Sequence, residues 1–197
     1  MTDKYPINGI NDLIKNRRSI FPKQYTGETV SNEVIEQMLE NANWAPNHGK
    51  TEPWRFFVFT GEGLKTFAKF QSELYKELAS ADEFNEAKYE KLKNSPLKAS
   101  HVIAIVMKRQ SSEKIPEIEE VEAVACAVQN MYLTATAYGV GAYWGSGGIT
   151  YEEEAKEFFG LGLNDKLLGF FYVGVPASEP KEGVRGDYKE KVTWIEE

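Results

Sequence analysis

A chain of 197 residues with 42% hydrophobic and 13% aromatic side chains can bury about 70% of its unfolded surface, which excludes a disordered segment and a mini-protein that needs staples. A formal net charge of −7 argues against a general nucleic-acid binder, whose affinity comes from a basic face. The single cysteine, Cys126, excludes an internal disulfide and fits a reducing compartment.

Met1 to Gly9 has no apolar signal-peptide core, and no apolar run approaches the ~20 residues of a membrane helix, so a soluble cytoplasmic protein without a membrane partner is expected. Ile10, Leu13 and Ile14 mark a short amphipathic helix ending near Asn16. Residues 17–30 then read as a loop broken by Pro22, Gly27 and Thr29. Ser31 is placed to cap a helix with Val34, Ile35, Met38, Leu39 and Ala42 on one face. A turn-rich segment, Asn43 to Gly49, precedes the strand Trp54–Thr60. Leu64, Phe67, Phe70, Leu74 and Leu78 fall at helical spacing. Residues 81–94 are very polar and read as an exposed helix or lid, their charges a solvated face.

Val102 to Met107 is a nearly continuous apolar run, suited to a strand buried on both faces. From Glu119 to Tyr138 runs the longest helical pattern, apolar on more than one face and therefore buried or shared with a partner chain. Cys126, inside it, reads as an inert core thiol. Gly139 is the expected cap, followed by a short strand at 142–144, a helix from Tyr151 to Phe159, and a second strong strand at 167–175. After Pro176 the chain turns polar and suggests an arm laid over the surface. One domain over 1–197 is expected, α+β, with 176–197 as a C-terminal arm.

Few residues offer chemistry of their own. His48 and His101 lack partners at metal-ligand spacing, and no nucleophile elbow or phosphate loop is present. Gly139 to Trp144 imitates a dinucleotide fingerprint but follows a helix, and Trp144 replaces the third glycine. Gly145, Gly147 and Gly148 suit either a tight turn or a close backbone approach to a flat or anionic ligand. Arg17-Arg18-Ser19 suits a phosphate, through two guanidinium forks and a hydroxyl, as well as a solvated turn. With no paired acid and base in view, an enzyme of this sequence would rely on a cofactor.

Arg17-Arg18-Ser19, Trp44-Ala45-Pro46-Asn47-His48, Glu52-Pro53-Trp54-Arg55-Phe56 and Trp144-Gly145-Ser146-Gly147, in that order, resemble the nitroreductase family of flavin enzymes. The resemblance covers essentially the whole chain, and Lys114-Ile115-Pro116 before the long helix fits a compact branch of it. It implies a three-layer α+β sandwich with a mixed, mostly antiparallel sheet, forming an intertwined homodimer. It further implies FMN at the subunit interface, NADH or NADPH as reductant, and a flat aromatic acceptor as substrate. By matching position, Arg17, Arg18 and Ser19 would hold the FMN phosphate and ribityl chain. Trp44 would reach the flavin of the other subunit, Asn47 and His48 would lie at the isoalloxazine region, and Trp144, Gly145, Ser146 and Gly147 would line the far side. Arg185 would add a phosphate contact. Phe21 stands where the family often places a third basic residue, which leaves Lys23 or Arg185 to compensate. A flavin-binding protein without turnover would use the same contacts.

Overall fold

The apolar run forms strand β2 (His101–Met107), and every one of its residues is buried. It owes this to its place inside the sheet. β1 (Trp54–Thr60) pairs with it on one side, β4 (Lys166–Gly174) on the other, and β3 (Gly141–Gly145) follows, in the order β1-β2-β4-β3. The computed structural model describes residues 4–197, and the three strand pairings within them are antiparallel. The parallel component is an isolated bridge between Ser19 and Ala142.

Successive residues of β2 point to opposite faces, so one strand supplies two cores. Ile103, Ile105 and Met107 pack with α2 (Asn32–Asn43) and α5 (Glu117–Ala137). Val102, Ala104 and Val106 pack with α3 (Glu62–Leu78) and α6 (Ala155–Phe158). The result is a three-layer sandwich of helices, sheet and helices. A bulge between β2 and β4 sets Ile105 opposite Gly169 and Val106 opposite Leu167, leaving Leu168 unpaired. Leu168 therefore packs toward the α5 core while Leu167 joins the α3 core. Gly169 sits at φ +116°, and a Cβ there would collide with the Gly145 carbonyl, so only glycine fits.

α5 ends as expected. The Gly139 amide donates to Thr136 O and the Val140 amide to Ala135 O, with Gly139 at φ +69°: a left-handed cap that turns the chain straight into β3. His101 is structural. Its Nδ1 lies 2.8 Å from Ser100 Oγ and its Nε2 3.1 Å from Asn32 Oδ1, and burial holds its pKa below the ordinary histidine value. Beyond β2, Lys108 donates to Asp165 at 2.6 Å and Arg109 pairs with the buried Glu120.

Two expectations need correction. The helix read over Tyr151–Phe159 is regular only at Ala155–Phe158. The preceding residues make successive i→i+3 turns, since 151–154 offer the core no apolar side chain that would fix a helical face. Cys126 is exposed, not a core thiol. It lies two residues from both Val124 and Val128, which pack on the sheet, and so falls on the opposite face of α5. That face is short of cover. Ala125 and Cys126 are exposed along it, and the neighbouring α1 (Ile7–Asn16) buries no residue and leaves Ile7, Ile10 and Ile14 in the open.

After β4 the chain is tied to the loop 24–26 by Thr26 N–H to Val175 O and Ala177 N–H to Gln24 O. Residues 178–197 are then exposed throughout, with a single short turn at Tyr188–Lys191. Val184, Trp194 and Ile195 lie open there, each more than 80% exposed. No described helix is long and apolar enough to cross a membrane.

Candidate active site

α1 ends at Asn16, and the Arg17-Arg18-Ser19 turn leads onto the free edge of β3, where Ile20 N–H donates to Ala142 O at 2.8 Å. The two arginines do different work. Arg18 donates to the Lys15 and Arg17 carbonyls at 2.5 and 2.9 Å and to Lys181 O at 3.1 Å. It therefore closes the C-terminus of α1, where a cation complements the helix dipole, and fastens the tail. The tail passes so close that a Cβ on Gly183 would lie 2.5 Å from Arg18 Cζ. Arg17 makes no hydrogen bond with its guanidinium among the described residues. Its cation rests over the Tyr132 ring, 5.0 Å from the centroid, with all its donors available.

Tyr132 joins this turn to the glycine-rich strand. Its hydroxyl accepts the Trp144 amide at 2.6 Å and lies 3.4 Å from Ser19 Oγ, and its ring meets Phe171 edge-on at 4.7 Å. The Trp144 indole in turn donates to Leu168 O at 3.0 Å, in the bulge. Arg17, Ser19, Tyr132 and Trp144 thus form one corner at the end of α5.

Beyond that corner opens a cleft of about 810 Å³, within the range usual for small-molecule sites. Gly145, Gly147 and Gly148 form one edge of it, and α4 (Glu86–Asn94) with the following turn forms the opposite wall. A Cβ on Gly147 would meet nothing within 4 Å, so the backbone there is open to a ligand. At Gly148, φ is +73° and a Cβ would press on Leu92 of α4. The Phe21 and Tyr143 rings meet at a tilt, 4.4 Å apart, on the side wall, and Phe170 and Tyr172 are more buried. Burial pushes the Tyr172 phenol far above its ordinary pKa, so the cleft holds it neutral. Phe21 is therefore an aromatic wall here, and Lys23 lines the cleft beside it. Ser146 is exposed between the glycines.

The remaining candidates stand elsewhere in the same chain. Trp44, 81% exposed, lines an open groove of about 610 Å³ between α1, α2 and α5, together with Leu13, Leu133 and Tyr138. Asn47 braces its own turn by accepting the Glu52 amide. His48 Nδ1 lies 2.5 Å from Glu119 Oε2, at the start of α5. Tyr132 is thirteen residues further along that helix, about 20 Å at 1.5 Å per residue. Within one chain, then, His48 and the Arg17 corner do not face each other. Arg185 is exposed, two residues beyond the glycine that touches Arg18, and among the described residues its guanidinium donates only to Val184 O.

A profile of the nitroreductase family matches residues 14–175. The chain belongs to that family. It is 33% identical over 165 residues to YdjA of Escherichia coli (strain K12), provisionally named an NAD(P)H nitroreductase, covering 84% of this chain and 87% of that protein. The crystal structure of a nitroreductase-like family protein from Bacillus cereus superposes over 100% of both chains with a TM-score of 0.81 at 27% identity. The FMN-dependent nitroreductase NfnB of Mycobacterium smegmatis, solved in complex with NADPH, superposes over 96% of this chain and 99% of its own with a TM-score of 0.73. At 16% identity that likeness speaks of the fold alone. The nitroreductase fold and the oxidoreductase class are thereby placed. Sequence reasoning missed two parts of the site. Tyr132 lies inside the long helical pattern with no motif around it, although a buried phenol needs a hydrogen-bond partner and could have signalled one. α4 was read as a solvated face, and nothing in its sequence points toward the glycine-rich edge.

Proposed function

We propose that this nitroreductase-family chain holds FMN and passes reducing equivalents from NADH or NADPH to flat, electron-poor acceptors such as nitroaromatics or quinones. The observation that carries this reading is the Tyr132 corner, where an arginine with free donors, a serine and a backbone edge of glycines meet beside a cleft with aromatic walls. These residues fit FMN. Arg17 and Ser19, with Arg185 in the adjacent tail, would take the phosphate and ribityl chain. Trp144, Gly145, Ser146 and Gly147 would border the isoalloxazine, whose plane matches the aromatic walls. Arg18, whose guanidinium is already spent on three carbonyls, would act by shaping the turn. When bound, FMN supplies the hydride chemistry that no side chain here offers.

The chain's own part is to position and to exclude water. One cleft would serve reductant and acceptor in turn, which gives ping-pong kinetics. The open apolar surface of α1 and α5 supports a homodimer built on that face. In such a dimer the partner subunit's Trp44, the partner's Asn47 and the partner's His48 would complete the site that they do not reach within their own chain. Residues 1–197 would act as one domain, with 176–197 as its arm; residues 1–3 lie outside the described residues.

The absorbance spectrum of the purified protein tests the reading. A flavin band whose chromophore is released as FMN and which bleaches with NAD(P)H is expected. A colourless protein that takes up no added FMN would overturn it, and a flavin that stays oxidised would leave a binder without turnover.

A further inference from the structure

The cleft is far more basic than the protein that surrounds it. In a chain of net charge −7, its walls bring together Lys23, Lys88, Lys91 and Lys98 against one carboxylate, Glu90. Glu90 is already engaged, by Lys93 at 3.7 Å and by Asn94 at 2.8 Å. Lys88 is engaged as well, 4.2 Å above the Tyr75 ring. Lys23, Lys91 and Lys98 have no ion-pair partner among the described residues. Exposed, unpaired ammonium groups gathered around one cleft repel one another and raise the local concentration of anions.

The position of these lysines separates them from the Arg17 corner. Tyr132 and the corner belong to the α5 side of the sheet, whereas Tyr143, Phe170 and Tyr172 belong to the α3 side. Neighbouring residues Tyr143 and Trp144 thus point to opposite sides of β3, the edge strand around which a flavin held at Arg17 would reach the cleft. A single phosphate held by Arg17 leaves the lysines without a counter-charge.

We propose that Lys23, Lys91 and Lys98 recognise an anionic group on the second ligand of the cleft, the one that enters beside the flavin. This rests on the flavin reading above. The anion has two possible sources with the same chemistry: the phosphates of the nicotinamide reductant, or an acidic substituent on the aromatic acceptor.

Equilibrium binding to the oxidised holoprotein separates them without turnover. Calorimetric titration would compare wild type with Lys23→Gln, Lys91→Gln and Lys98→Gln, using NADP⁺, NAD⁺, para-nitrobenzoate and its neutral amide. FMN content would be measured on every preparation. Each exposed charge contact is worth roughly a two- to fivefold change in affinity, and the effect shrinks as salt is raised. Losses confined to the dinucleotides, larger for NADP⁺, assign the lysines to the reductant. Losses for nitrobenzoate with its amide unchanged assign them to the acceptor. Unchanged affinities for all four ligands at full FMN content overturn the proposal, and so does a loss of FMN from the variants, which would make the lysines part of the flavin site. A wild-type protein that holds no flavin fails the underlying reading instead, and the proposal with it.

Discussion

Removing one oxygen, in Tyr132→Phe, isolates the joint between the two halves of the site. The ring stays, and with it the Arg17 cation above it and the edge-on contact with Phe171. What goes is the hydroxyl that accepts the Trp144 amide at 2.6 Å and lies 3.4 Å from Ser19 Oγ. β3 is the edge strand on that side of the sheet, so no neighbouring strand can take over the Trp144 N–H. An orphaned buried donor costs about 1–3 kcal/mol, and Trp144 is half-buried, so the lower half of that range applies. In a chain of this length each kcal/mol moves Tm by about 2–4 °C. The variant should therefore melt some 2–8 °C lower. The Arg17 turn and the glycine edge are also less firmly joined, so FMN should bind up to about tenfold more weakly, 1.4 kcal/mol. Thermal melts of the apoprotein and flavin titration of both proteins measure the two effects. A Tm within a degree of wild type together with an unchanged FMN affinity would refute the role given to Tyr132.

The two arginines should respond differently. Arg17→Ala should lose FMN retention by about 1.5–3 kcal/mol per charged hydrogen bond while leaving the apoprotein's melting nearly unchanged. Arg18→Ala should lower apoprotein stability and free the tail at Lys181 for proteolysis; the opposite ranking would reverse their assignments. At Asp165, burial pushes the pKa up, but the Lys108 ammonium and the Gly162 and Arg109 amides outweigh it and hold the carboxyl below its ordinary value. The unfolded state then takes up its proton first as pH falls, so this stabilisation is complete above about pH 4 and fades as pH drops through the lower folded value. Asp165→Asn should flatten the stability profile over that acid range, as acid titrations of both proteins would show, and an unchanged slope would remove Asp165 as a cause. Cys126 stands open on the α5 face of one chain. If that face forms the dimer, its reaction with a bulky maleimide should be slow at high protein concentration and quicken on dilution; fast labelling at every concentration would place the interface elsewhere.

What could be read in the sequence followed from local periodicity. β1 runs over Trp54–Thr60 as expected, because aromatic and β-branched residues between Pro53 and Gly61 leave few alternatives. β2 announced its double burial by an unbroken apolar run. The Arg17-Arg18-Ser19 and Trp144 segments were recognisable as motifs, and the structure brings them to one corner. The division of labour between the arginines was not legible, since it depends on carbonyls at Lys15 and Lys181, the latter over 160 positions away. Nor was the separation of His48 from that corner, which is set by the length of α5. The bulge at Leu168 reverses which side chains face which core, and a glycine inside a strand pattern only hints at such a device. α4 looked like a solvated helix because its sequence is mostly charged, with only Tyr89 and Leu92 to pack on the core. It lines the cleft because of where the chain between α3 and β2 leads it, a tertiary fact that no local pattern carries.

The most direct test of the central claim is light scattering on the eluting protein, with flavin absorbance recorded across the same peak. The account predicts a species of twice 22.3 kDa, carrying FMN that bleaches when NADH or NADPH is added without oxygen. A colourless peak that takes up no FMN at any mass would contradict it.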